Sequence, residues 1–91
     1  MEPTAVPFLL RGVRTHFDKV RDIWVLLAPE RAIKLDQIGI AILEEVDGKR
    51  SLAEIAATLA AKYNAPVDQI TKDSAAFLTS LAERRMLETR S

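Results

Sequence analysis

The sequence predicts an α+β fold: a three-stranded antiparallel β-meander followed by three α-helices, winged-helix-like in order. Three observations carry this. The first third alternates or runs apolar over short stretches bounded by turn residues, which reads as strands. The rest repeats apolar residues at helical spacing. Connections are short throughout, so consecutive elements pack as neighbours around one core. A chain of 91 residues fits a single small domain.

The elements follow in order. Residues 1–10, "MEPTAVPFLL", hold Pro3 and Pro7. Proline disfavours regular pairing and favours extended backbone, so this stretch reads as a flexible tail or linker ahead of a domain at 11–91. Gly12 is a natural turn residue. "VRTHFD" (13–18) alternates Val13, Thr15 and Phe17 with Arg14, His16 and Asp18, the pattern of a half-buried strand. "DKVRD" is a polar hairpin connection. "IWVLLA" (23–28) is nearly all apolar, which suits a central strand or one covered on both faces. Pro29 ends it, and "AIKL" (32–35) forms the third strand.

Asp36 caps the first helix, accepting from its free first-turn N–H groups. Ile38, Ile42 and Val46 follow at helical spacing. Gly39 within that helix costs roughly 1 kcal/mol relative to alanine, which a close helix–strand approach would justify. "DGKR" (47–50) stops the helix, with Gly48 suited to a left-handed C-terminal position. Ser51 and Glu54 have capping-box spacing. The second helix carries Leu52, Ile55 and Leu59 and ends near Tyr63–Asn64. The third, roughly 67–85, carries Ile70, Ser74, Phe77, Leu78 and Leu81. "MLE" (86–88) returns as a short extended piece.

Composition removes several function classes. Thirteen basic and thirteen acidic residues cancel, against the basic face of a nucleic-acid binder or a binder of anionic membranes. There is no cysteine, so disulfide, thiolate and Cys-based zinc chemistry are excluded. The N-terminus lacks basic residues and a long apolar run, so it is no signal peptide, and cytoplasmic residence is the default. His16 is the lone histidine and reads as a solvated strand residue. Ser51 is explained as a cap rather than a nucleophile. Glu44 and Glu45 are adjacent in sequence only, since helical neighbours diverge. No phosphate loop, metal motif or nucleophile elbow is present.

Two binding readings remain. A winged-helix DNA-binding regulator would read DNA with the third helix. That helix balances Asp68, Asp73 and Glu83 against Lys72, Arg84 and Arg85, and its middle is small and apolar, the opposite of what phosphate contact needs. The other reading is a peptide-binding module. An exposed edge strand accepts an extended peptide as a further strand. Ala32, Ile33, Lys34 and Leu35 form a short candidate edge, although an edge lysine also guards against aggregation. Asp73, Ala76, Phe77 and Ser80, at i, i+3, i+4 and i+7, offer a helical floor beside it, although Phe77 by itself also fits a core position.

The stretches "RGVRTHFDKVRDIWVLLAPERAIKLDQIGIAIL" and "DGKRSLAEIAATLAAKYNAP" resemble the PqqD family of pyrroloquinoline quinone biosynthesis. The string "WVLLAPER" is the most specific part. The third-helix pattern of Ile70, Asp73, Phe77, Leu78 and Leu81 also matches, as it does in the wider class of peptide-recognition domains of ribosomal peptide modification. The resemblance spans about residues 11–88. One departure is Arg85, where the family commonly has glycine. The resemblance implies a non-enzymatic peptide chaperone with no cofactor or metal of its own. It implies binding of the ribosomal precursor PqqA and its presentation to PqqE, a radical S-adenosylmethionine enzyme. It also implies that the peptide adds beside the third strand, at Ala32, Ile33, Lys34 and Leu35, and packs on Asp73, Ala76, Phe77 and Ser80. Some family members are fused to the oxidase that completes the cofactor, so residues 1–10 resemble a remnant of such a linker.

Overall fold

A computed structural model describes residues 1–90. Strands β1 (Val6–Leu9), β2 (Arg14–Asp18), β3 (Ile23–Ala28) and β4 (Arg31–Leu35) lead into helices α1 (Gln37–Glu44), α2 (Leu52–Tyr63) and α3 (Val67–Glu83). Strand β5 (Leu87–Arg90) follows. The predicted three-stranded antiparallel meander and three helices are present, with sheet order β2-β3-β4. A second sheet, β1-β5, lies outside that expectation.

The N-terminal stretch is therefore not simply a tail. Val6–Leu9 pairs antiparallel with β5, in register Val6↔Arg90 to Leu9↔Leu87. Proline is tolerated there for a specific reason. Leu10 N–H donates to the Met86 carbonyl at 3.1 Å, so hydrogen-bonded pairs alternate from that point. Pro7↔Thr89 falls on a non-hydrogen-bonded pair, where a missing N–H costs nothing. Pro7 is fully buried, and the Arg90 guanidinium sits 4.3 Å over the Phe8 ring.

The same segment completes the N-terminus of α2. A helix leaves its first N–H groups without internal partners. Here Leu52 N–H donates to the Ala5 carbonyl (2.8 Å) and Ala53 N–H to the Pro3 carbonyl (3.0 Å). Glu54 N–H donates to Ser51 Oγ, and Ser51 N–H to Glu54 Oε1. The capping box thus supplies two partners and the N-terminal segment the other two.

The core gathers Leu26 and Leu35 from the sheet, Ile40, Ile42 and Leu43 from α1, and Leu52, Ile55 and Leu59 from α2. Leu78 and Leu81 of α3 and the Met86–Leu87 pair close it. In β3 the even positions face this core. Leu26 is fully buried, while Val25 and Leu27 lie half-buried on the opposite face of a central strand. Phe17 and Trp24 meet edge-on across β2–β3 with ring centroids 5.3 Å apart.

Helix α1 differs from the expected stripe. It ends at Glu44, so Val46 lies beyond it, and it buries Gly39, Ile40, Ile42 and Leu43. Ile38 is 65% exposed. Gly48 does adopt positive φ, 76°, but in the loop past the helix cap. The loop is tied by Arg50, whose guanidinium donates to the Glu45 carbonyl (2.7 Å) and carboxylate (3.1 Å) and to Asp47 (3.1 Å). Lys62 of α2 also reaches Glu45, at 3.3 Å.

Helix α3 closes with a complete Schellman motif. Met86 N–H donates to the Leu81 carbonyl and Arg85 N–H to the Ala82 carbonyl, both at 3.0 Å. The residue between must be left-handed, and Arg85 has φ 59°. Glycine is the usual occupant of such a position. The chain makes the glycine-type turn with an arginine in it.

Candidate functional site

Strand β4 is an edge of its sheet, and its open side is defined by register. Ala28 and Arg31 pair across the two-residue turn Pro29–Glu30. A pair that closes so short a turn is hydrogen-bonded, and bonded pairs then alternate. Arg31, Ile33 and Leu35 therefore turn their N–H and C=O groups to β3. Ala32 and Lys34 turn theirs to the open side. Side chains alternate as well. Leu35 is buried and Ile33 packs on the core, while Ala32 and Lys34 are exposed.

A cleft of about 280 Å³ adjoins this edge, lined by Lys34, Leu35, Asp36 and Phe77. Phe77 is half-buried, intermediate between a core residue and an exposed one. Gly39 lets α1 approach the Phe77 ring. A Cβ at residue 39 would stand 3.2 Å from Phe77 Cζ and 3.3 Å from Cε1. The close approach that the helical glycine permits is thus with another helix, α3, rather than with a strand. Asp36 fixes the other wall by accepting from Gly39 N–H at 2.7 Å.

The remaining helical candidates separate. Ala76 is exposed. Ser80 donates its hydroxyl to the Phe77 carbonyl at 2.7 Å, so that proton is spent within the helix. Asp73 lies one turn from Phe77 and lines a second cavity of about 460 Å³ between α1, α2 and α3. Its floor and mouth include Ile38, Ala41, Leu59, Tyr63 and Ile70. Ser74 also lines it, 1% exposed, and its Oγ has no hydrogen-bond partner. A buried hydroxyl left unpaired costs about 1–3 kcal/mol. Ile38 and Ser74 both sit on stripes that the sequence reads as core; Ser74 is buried there and Ile38 is not. The mostly apolar run of α1 hid the exposure of Ile38, because several stripes fit it equally well.

The β4 cleft carries one charge of each sign, Lys34 on the strand and Asp36 at the helix start. The shifted groups lie elsewhere. Backbone N–H donation from Arg50 and Lys49 holds the Asp47 carboxyl down at about 2. The Arg50 side chain likewise lowers Glu45. Among the described residues no three His, Cys, Asp or Glu side chains gather as a metal site. No helix is long and apolar enough to cross a membrane.

An open strand edge with a cleft beside it that joins Leu35 and Phe77 to one charge of each sign is the architecture of a small recognition domain. The chain belongs to the PqqD family: the family profile "Coenzyme PQQ synthesis protein D (PqqD)" matches residues 24–87. A Rhizobium meliloti protein named "PqqA binding protein" is 51% identical over 85 residues, 93% of this chain and 87% of that one. The solution structure of the PqqD truncation of Methylobacterium extorquens PqqCD is 46% identical, with TM-score 0.79. The match covers 97% of this chain and 99% of that one, which is described as a functional, stand-alone recognition element for ribosomally synthesized and post-translationally modified peptides. TbiB1, solved with the TbiA(beta) leader peptide, shares the fold at 24% identity and TM-score 0.74, over 91% and 96% of the two chains.

Proposed function

We propose that this chain is a peptide chaperone of pyrroloquinoline quinone biosynthesis, which binds the precursor PqqA as an added strand on β4 and presents it to the radical S-adenosylmethionine enzyme PqqE. The observation that carries the reading is the open edge of β4, with the main-chain groups of Ala32 and Lys34 facing outward beside the Phe77 cleft. Strand addition draws affinity from main-chain hydrogen bonds and register from side-chain pockets. Ala32, Ile33, Lys34 and Leu35 supply the strand, and Phe77 the floor. Asp73 and Ala76 border the floor, and Ser80 shapes it by tying its hydroxyl to the Phe77 carbonyl. Family membership and the relatives' names support binding rather than catalysis. The recognition region lies within residues 11–91, braced by β1 of the preceding segment, and acts in the cytoplasm where the precursor is made.

Presentation works through effective concentration. A flexible peptide held on a domain that docks to the enzyme meets the active site as a tethered substrate. The DNA-binding alternative lacks a matching surface, because α3 mixes acidic with basic residues along its exposed side.

Lys34→Pro tests the reading directly. It removes an N–H from the open side and leaves the β3 ladder intact. Affinity for a synthetic PqqA peptide falls at least tenfold, while the thermal midpoint moves only a few degrees. Ile33→Pro is the control: its N–H faces β3, so it unfolds the sheet. A folded Lys34→Pro protein with unchanged affinity overturns strand addition on β4.

A further inference from the structure

We infer that the outer face of the sheet reads charge on the bound peptide: an Asp or Glu of the added strand lies directly opposite Lys34 and fixes its register. This rests on the strand-addition reading and adds to it what selects one alignment of the peptide over its neighbours. Main-chain hydrogen bonds do not select one, because a strand slipped by two residues presents the same groups again.

Three observations lead there. The first is which side chains share the outer face. Leu26, Ile33 and Leu35 turn to the core and the helices, so strand alternation puts Val25, Leu27, Ala32 and Lys34 on the other face. Register sets His16, Val25 and Lys34 in one row across the sheet, and Arg14, Leu27 and Ala32 in the next. A peptide added to β4 lengthens each row by one residue, beside Lys34 in the first and beside Ala32 in the second.

The second is charge. Arg14, His16 and Lys34 are exposed at the ends of these rows. Among the described residues, Arg14 and Lys34 join no ion pair. Asp18 is the carboxylate of this face, and it is turned to its own hairpin loop, accepting from Val20 N–H (3.0 Å) and Arg21 N–H (3.2 Å). Asp36, two residues beyond Lys34, accepts from Gly39 N–H at the positive end of α1. The free charge of the outer face is therefore positive, and a carboxylate is its complement.

The third is the contrast between the two outward positions of β4: an ammonium at Lys34 and a bare methyl at Ala32. A slip of one residue carries the peptide carboxylate to the Phe77 side of the sheet. A slip of two sets it against Ala32, or past the strand end beside Asp36. Opposite charges facing each other across strands raise affinity up to about fivefold, and like charges lower it by a similar factor, so a single pair ranks the alignments. An edge lysine that only deters aggregation has no preferred partner position on the peptide.

The test is a charge-reversal cycle on the full chain with the PqqA peptide. Each Asp and Glu of the peptide is replaced in turn by lysine. Affinities are measured for the unsubstituted chain, for Lys34→Glu and, as a control on the other face of β4, for Arg31→Glu, while amide shifts of the labelled chain are followed alongside. Both positions are exposed, so both variants fold, which circular dichroism checks. One peptide replacement weakens binding to the unsubstituted chain about tenfold, and Lys34→Glu restores that same peptide to within about threefold of the original pair. Lys34→Gln keeps the main-chain N–H and gives an independent readout: it binds the unmodified peptide more weakly, and the deficit fades at about 0.5 M salt. If the β4 amides shift while Lys34→Glu rescues no replacement, the charge reading is wrong and strand addition stands. Equal rescue by Arg31→Glu also overturns it, since unspecific attraction would then suffice. If the β4 amides do not move, both fall.

Discussion

Arg85 shows how a single residue can carry a cost that the fold absorbs. The left-handed region disfavours a residue with a Cβ by roughly 1–2 kcal/mol, yet the turn between α3 and β5 requires φ 59° there. The turn is held on both sides, since Leu81 and Met86 are each 1% exposed and joined by the Schellman hydrogen bond. Arg85→Gly is expected to stabilise the protein by about 1 kcal/mol, after allowing for glycine's looser unfolded state. For a domain of this size that is roughly 4–8 °C in thermal midpoint, read by circular dichroism. The family resemblance marked this position in the sequence, but not that the glycine geometry would be retained without glycine. Asp36, Ser51, Glu54 and Asn64 were legible in the sequence because caps act within three or four residues. The burial of Ser74 was legible too, from the stripe of α3, but the exposure of Ile38 was not. Which face of α1 is covered depends on neighbours that the local pattern does not name.

The α1–α2 loop and strand β4 divide support from recognition among the elements. Asp47 accepts from Lys49 N–H (2.9 Å) and Arg50 N–H (3.0 Å) and pairs with the Arg50 side chain. These donors favour its charged form, so its carboxyl titrates at about 2 in the fold, against about 3.9 unfolded. A depressed carboxyl stabilises the fold fully above the unfolded value and loses that contribution as pH falls through the folded one. Between about pH 4 and pH 2 the chain therefore loses stability through Asp47, with Glu45 adding in the same direction. Asp47→Asn is expected to flatten the dependence of the thermal midpoint on pH in that window, as a melting series would show. On β4, the main-chain alternation follows from the two-residue turn, and "LLAPERAIKL" announces that turn. The edge itself was inferable only from strand order, because no residue in β4 states that a fourth strand is absent.

At the scale of the whole molecule, the two ends of the chain are joined. β1 and β5 lie some eighty residues apart, and their pairing places the N-terminal segment against α2 as well. Local sequence reading could not see this. It rightly found the prolines, and missed that Pro7 falls on a pair needing no N–H. Removing residues 1–10 strips the β5 pairing and two helix-start hydrogen bonds, each worth about 0.5–1.5 kcal/mol, along with the buried Pro7. Against a total of roughly 5–15 kcal/mol for small domains, the expected outcome is loss of a cooperative thermal transition, measured by calorimetry. A mere tail would leave the transition in place.

The joined ends brace the helices, the helices hold Phe77 against Gly39, and the sheet leaves one edge free beside them. The measurement that tests this account most directly is an amide-shift titration of the labelled chain with the PqqA peptide. The account predicts the largest shifts at Ala32, Lys34 and their neighbours in β4, together with Asp73 to Phe77 on α3, and little change on β2 or in the β1–β5 sheet. Saturable shifts centred on β2 or on β1–β5, with β4 unmoved, would contradict it.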